Sequence, residues 1–443
     1  MNDEHAGPRD LIERLFQASL AAVEPRAAVQ RALTLRGHTL LIEGRQTPVA
    51  GRVAAVAIGK AAPRMALGAF DVLGDAIAEG IILTKDGHLG DGVPGFAGYE
   101  ASHPVPDERG VAATQEILAL ARTLGRGDVL LALISGGGSA LLEAARYPVT
   151  LADLQRTTEL LLRAGAPIQD LNAVRSELSL VKGGGLRVAA GEAACCSIVL
   201  SDVLGNDPTV IASGPTVVRR ANAAAALAIL ERYGLRDDIP ETVRASLDSP
   251  APETVEPPPQ GDSEIDRWVV IGDNNALIAA AASWLDARSL QSQVVWNAKQ
   301  GEARTLAREW VERCSASNGD VEVLLGGGEA TVTVRGSGRG GRNTEFALAA
   351  AIEMAAKGSD WTIASLASDG DDGAADAAGA IVDGSTVARM RRLGIDPADA
   401  LDRNDSATAL GAVGALVRLG PTGTNVNDLY VAVRAGTVGE DTR

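Results

Sequence analysis

The run VLLALISGGGSALL, from Val129 to Leu142, constrains the fold more than any other stretch of the chain. Val129 to Ile134 are all apolar, the pattern of a strand buried on both faces of a parallel sheet. Ser135-Gly136-Gly137-Gly138-Ser139 follow at once, and Ala140 opens a helix for which Ser139 is the expected cap. Three glycines strip the turn of side chains, so backbone amides can approach a ligand closely. The helix start behind them favours an anion. A strand that turns this tightly into a helix is the repeating unit of a doubly wound sheet, which binds ligands at the carboxyl ends of its strands.

The same unit recurs. Val53 to Ile58 is a second buried strand, turned by Gly59-Lys60. Gly80 to Thr84 runs into Lys85-Asp86-Gly87-His88, and Tyr99 to Pro104 is a strand edge before a helix over 107–124. Leu151 to Ala164 and Ile168 to Val181 are predicted helices, and Ala194 to Leu200 is a strand ending in Ser201-Asp202-Val203-Leu204-Gly205-Asn206-Asp207-Pro208. A chain of 443 residues exceeds one typical core, so two domains are expected. The stretch 248–266, rich in Pro, Glu and Asp, reads as the linker. The predicted organisation is a Rossmann-like α/β domain over 1–247, the linker over 248–266, and a second α/β domain over 267–443 restarting at Trp268-Val269-Val270-Ile271. The fold class is therefore α/β, a doubly wound, mostly parallel sheet plus a second α/β domain, with the active site expected in the cleft between them.

A net charge of −16 argues against nucleic acid or an anionic membrane as partner, yet leaves room for locally basic loops. Three cysteines make neither a zinc spacing nor a disulfide framework, and no apolar run reaches the length of a membrane span. A soluble, cytoplasmic protein is expected.

The polar clusters fall at predicted strand ends. Lys60 opens a helix, where its charge opposes the helix dipole, so stability alone is a poor reason for it. It is no Walker lysine, since Ala54 and Ala61 replace the required glycine and hydroxyl. Asp202 and Asp207, with Ser201 and Asn206, supply the oxygen ligands that Mg²⁺ prefers; the plainer alternative is an Asx-turn. Arg175, Ser179 and Lys182 are predicted to share one helical face. The segment Ser368 to Gly373 is acidic but fails as an EF-hand. Between Leu324 and Phe346 a strand is expected to end in Gly326-Gly327-Gly328-Glu329 and another to run from Thr331 to Val334. A loop with Arg335, Arg339 and Arg342 then opens a helix capped by Asn343 or Thr344. Three arginines beside a helix start read as a phosphate clamp. Gly336, Gly338 and Gly341 match G-x-G-x-x-G, but the acidic strand end of a dinucleotide site is missing.

Taken in order, these motifs resemble the glycerate 2-kinase family whose C-terminal half is the MOFRL domain. The matching stretches are Ala57 to Ala61, Ser102 to Asp107, Ser135 to Ala140, Val181 to Gly184, Ser201 to Pro208, Ser213 to Thr216, Gly327 to Glu329, Gly341 to Asn343, Ser368 to Gly370 and Gly420 to Leu429. The resemblance implies transfer of the γ-phosphoryl group of ATP to the 2-hydroxyl of D-glycerate, giving 2-phosphoglycerate, with Mg²⁺ or another divalent cation. Lys60 and Arg342 match positions regarded as catalytic. Nucleotide or phosphate contacts are expected from Ser135, Gly136, Gly137, Gly138, Ser139, Lys182, Asn343 and Asp369. Substrate contacts are expected from Ser102, His103, Glu329, Asn427 and Asp428, and metal contacts from Asp202 and Asp207. Asp86 stands where relatives often carry an aromatic residue, and Gly185 where many carry a longer polar one, which bears on fine substrate contacts. Relatives also carry the name hydroxypyruvate reductase, so an NAD(P)H-dependent reductase is the alternative enzyme. A sugar-acid or nucleotide binder without catalysis is the alternative outside enzymes. The expected partners are small molecules, D-glycerate and ATP, without nucleic acid or membrane; a homodimer is left open.

Overall fold

Val53–Ile58 and Val129–Ile134 are buried at every position, as the absence of polar residues in both requires. The structure, a computed structural model, describes residues 7–249, 266–317 and 319–437. Two compact units divide the chain, one spanning Pro25–Ile271 and the other Met1–Glu24 with Gly272–Arg443.

In the unit Pro25–Ile271 the two buried strands pair in parallel at the centre of a six-stranded sheet. Ile77–Lys85 and then Phe96–Ala101 flank one side, and Ala194–Leu200 the other, all parallel. Alternate side chains Ala54, Val56 and Ile58 join Ala113, Ile117 and Ala121 of the helix Glu108–Arg122 in one core. Each fully buried isoleucine or leucine there contributes about 1.5–3 kcal/mol. Asp107 caps that helix by accepting the Gly110 amide. Leu33–Arg36, Thr39–Ile42 and Arg45–Pro48 form a separate antiparallel meander.

Arg267–Gly272, expected to restart the second unit, instead takes the sixth place in this first sheet, beside Ala194–Leu200. Trp268 and Val270 pack on its core, and Asp266 just before the strand accepts from the Cys195 amide and from Arg187. Most of the expected linker, 250–265, lies outside the described residues. The helix Pro8–Ala22 belongs to the other unit. Its Leu11, Ile12, Leu15 and Phe16 are buried, and Arg9 donates to the carbonyls of Gly414 and Leu416.

The second unit carries a mixed six-stranded sheet in the order Ser292–Glu302, Val323–Thr331, Asp428–Arg434, Trp361–Ala367, Gly379–Asp383 and Leu416–Val417. The last strand in sequence, Asp428–Arg434, lies antiparallel between Val323–Thr331 and Trp361–Ala367. The expected break at Gly326 to Glu329 does not occur, since one strand runs through these glycines. Close packing is why they are glycine. A β-carbon on Gly327 would lie 2.1 Å from Asn274 Oδ1, and one on Gly326 would lie 2.9 Å from the Trp310 ring. No strand covers Val332 to Val334. Among the described residues, no helix is long and apolar enough to cross a membrane.

Candidate functional site

The carboxyl ends of four adjacent parallel strands gather Lys60, Lys85, Ser135 and Ser201 along one edge of the first sheet. Two of the turns there are stitched together. The Ser135 hydroxyl accepts from the Ala61 amide and donates to the Ile58 carbonyl, both at 3.1 Å, and the Lys60 amide donates to Gly136 at 2.9 Å. Gly59 adopts a φ of 112°, and a β-carbon on it would sit 2.4 Å from the Ser135 carbonyl oxygen. At the next turn, a β-carbon on Gly137 would meet both the His103 ring and Lys60 Cγ at 3.3 Å. Lysine, imidazole and glycine turn therefore share one small space. A β-carbon on Gly136 would lie 2.1 Å from Asp202 Oδ2, which sets the Asp202 carboxylate against the same turn.

Cations surround His103 on this edge. Burial, then Lys60, Lys85 and His88, push His103 down to about 4 from an ordinary 6.5, so its ring is neutral at physiological pH. Cations crowded around a neutral imidazole suit an anionic ligand. The sign of the pH dependence follows. The folded chain takes up this proton at lower pH than the unfolded chain, so its contribution to stability falls as pH drops from about 6.5 towards 4. His103→Gln should flatten that part of the pH–stability curve by roughly 2 kcal/mol, discounted for partial exposure. Urea unfolding of both proteins between pH 7 and pH 4 measures it, and parallel curves would exclude the assigned environment.

The helix expected to open at Ala140 has only four residues, Gly138–Leu141, and the left-handed Gly137 occupies its cap position. Ser139 does not cap it. Its hydroxyl pairs with that of Ser213 at 2.7 Å. Lys182 also departs from expectation. The helix Ile168–Leu178 ends before Ser179, so the shared helical face is absent. The Lys182 ammonium is buried on Glu143 rather than presented to a phosphate. Asp207 makes the plainer Asx-turn, accepting from the Thr209 amide and hydroxyl. Among the described residues, no three acidic, cysteine or histidine side chains gather to hold a metal ion. Ser102 donates its amide to Asp107.

In the second unit the arginine-rich loop leads into the helix Arg342–Lys357, with Gly341 at the cap position in place of Asn343 or Thr344. Its first-turn amides are already satisfied by a carboxylate. Asp372 accepts from the Asn343 amide at 2.8 Å, the Thr344 amide at 2.7 Å and the Thr344 hydroxyl at 2.8 Å. Burial pushes the Asp372 carboxyl up despite these donors. Arg342 grips Asp428 through two 2.7 Å bonds, and Asn343 adds a third donor to Asp428. Although burial opposes its charge, Asp428, Asp372 and Glu329 hold Arg342 well above its ordinary value.

The expected clamp of three arginines is therefore not assembled. Arg335 and Arg339 are exposed, their amides held by Asn404 and Asp405, because the loop folds around those two side chains. Asp369 sits in an Asx-turn, accepting the Asp371 amide. Asn427 adopts a φ of 66° and is buried, and its Oδ1 has no hydrogen-bond partner among the described residues. Sequence reasoning missed Asp372, Asn274 and Glu143. Asp372 stood inside a run already noted for its acidity, whereas a lone Asn274 or Glu143 carries no local signal.

Two family models match the chain, a domain of unknown function (DUF4147) over residues 11–248 and the MOFRL family over 322–428. A D-glycerate 2-kinase from Thermotoga maritima is 40% identical over 86% of this chain and 90% of its own length. An Agrobacterium vitis protein bearing a provisional hydroxypyruvate reductase name is 41% identical, covering 95% of this chain and 93% of its own. The crystal structure of a glycerate kinase from Thermotoga maritima superposes with a TM-score of 0.84 at 36% identity, over 96% of this chain and 99% of that one.

Proposed function

Because the chain belongs to the MOFRL-domain glycerate kinase family, we propose that it phosphorylates D-glycerate at the 2-hydroxyl, with ATP as donor and 2-phosphoglycerate as product. The bond between the γ-phosphorus and the oxygen bridging it to the β-phosphorus breaks, releasing ADP. A new one forms to the glycerate 2-oxygen, and the hydroxyl proton passes to the His103 imidazole. The observation that carries this reading is the meeting of Lys60, neutral His103 and the glycine turn at the carboxyl edge of a parallel sheet. Phosphoryl transfer asks mainly for positioning and for neutralisation of charge on the migrating group. Lys60 supplies a cation for the equatorial oxygens, and Arg342 is proposed as a second. The turn Ser135 to Ser139 holds a phosphate or carboxylate by its amides. The imidazole of His103, being neutral, accepts the hydrogen bond of the attacking hydroxyl, and a bound anion offsets the cations that lower its basicity. A divalent cation arriving with the nucleotide would shield the phosphates, and Asp202 is the residue proposed to meet it.

Phosphorus NMR of the product from D-glycerate and ATP tests the reading, with the 2-phospho ester expected. The 3-phospho ester would overturn the position, and oxidation of NADH by hydroxypyruvate without ATP turnover would favour the reductase instead.

A further inference from the structure

Behind the glycine turn lies a buried ionic cluster that the reaction as proposed leaves without a task. Glu143 is 1% exposed and the Lys182 side chain also 1%. The three hydrogens of the Lys182 ammonium match three acceptors, Glu143 Oε2 at 3.0 Å, the Ser139 carbonyl at 2.8 Å and the Leu142 carbonyl at 3.2 Å. Arg175 adds bonds to the Ser139 carbonyl at 2.9 Å, the Ser139 hydroxyl at 3.3 Å and Glu143 at 3.4 Å. On its other oxygen Glu143 accepts the Ser179 hydroxyl at 2.7 Å, while its amide donates to Thr114 at 3.1 Å.

Stability is a poor reason for this arrangement. A buried ion pair is often no better than apolar residues of the same volume, because desolvation offsets the attraction. The acceptors chosen are more informative. Two of the three lysine bonds go to main-chain carbonyls of the glycine turn's short helix, Ser139 within it and Leu142 at its C-cap. A single helical turn is too short to hold itself, since nucleation costs more than its few hydrogen bonds return. Cations at its last carbonyls complete that turn. Burial pushes the Lys182 ammonium down to about 8 against the pull of Glu143. Burial would raise Glu143 too, but Lys182 and Arg175 outweigh it and keep the carboxylate charged.

We propose that Lys182, tethered by Glu143 and Arg175, is a positioning residue that fixes the glycine turn Ser135 to Leu142 from behind and does not itself touch phosphate. The inference rests on the reading that this turn holds a reacting ligand. Hydrogen exchange of the full-length protein tests it independently of turnover. In Lys182→Met, peptides covering Ser135 to Leu142 should exchange about tenfold faster or more, while the strand Ala194 to Leu200 keeps its rate. Turnover with D-glycerate and ATP should fall about 10²-fold, in kcat more than in KM, as expected for a displaced turn. Ser179→Ala, which removes one bond to Glu143, should give a smaller change of the same kind, and it carries the test if Lys182→Met does not fold. Unchanged exchange in the turn of a folded variant overturns the inference, as does faster exchange with undiminished kcat. If the variants loosen the turn but the wild-type protein forms no phosphoglycerate, the brace is supported and the kinase reading alone fails.

Discussion

Lys60→Met is expected to lower kcat for glycerate phosphorylation by about 10²–10³-fold, the loss typical of one preorganised group facing developing charge. Thermal stability should hardly change, because the side chain is only half-buried at the sheet rim and its backbone bond to Gly136 survives the substitution. A second readout separates lost charge from a disturbed turn. Lys60 is one of the cations that depress His103, so in Lys60→Met the imidazole should titrate above its value of about 4. Imidazole resonances followed through an acid titration would show that rise. A variant that keeps its turnover while His103 moves would leave Lys60 as a feature of the local field and take it out of catalysis.

The centre of the parallel sheet was legible in the sequence because Val53–Ile58 and Val129–Ile134 are unbroken apolar runs, each followed by a turn that needs glycine. Val129 to Leu142 states this outright, and Ala194 to Leu200 runs over the residues expected. Local pattern failed wherever a distant partner decided the outcome. Gly326 to Gly328 look like a turn, but they are glycine because Trp310, Asn274 and the neighbouring strand press against them. Trp268 to Ile271 look like a beginning, but the open edge beside Ala194–Leu200 claims them. In the polar regions the difference lies in which charges meet. Spacing put Lys182 on a helical face with Arg175, and the two do converge, though on buried Glu143 instead of on a ligand. Three arginines near a helix start suggested an anion from outside, yet the anion at those amides is the chain's own Asp372. Charge complementarity across about 30 residues of sequence leaves no periodic trace.

That internal pairing makes Arg342→Ala a more severe change than the loss of a phosphate contact. Asp428 is fully buried, and without Arg342 its carboxylate keeps only the amide of Asn343 as a side-chain donor among the described residues. Removing one member of such a pair costs about 3–5 kcal/mol, a large share of the roughly 5–15 kcal/mol that holds a typical domain folded. A lower Tm is therefore expected together with lower kcat, and the single variant cannot separate the two. The double variant Arg342→Met with Asp428→Asn can. It removes both charges, leaves an oxygen for Asn343, and should regain most of the lost stability, giving a coupling energy of several kcal/mol in the mutant cycle. Turnover should not return with it. The Arg342 side chain is still 25% exposed while two of its nitrogens are held by Asp428. A role on the migrating phosphoryl group predicts that kcat stays down by about 10²-fold in the refolded double variant. Recovery of turnover in step with Tm would make Arg342 the counter-ion of Asp428 and nothing more.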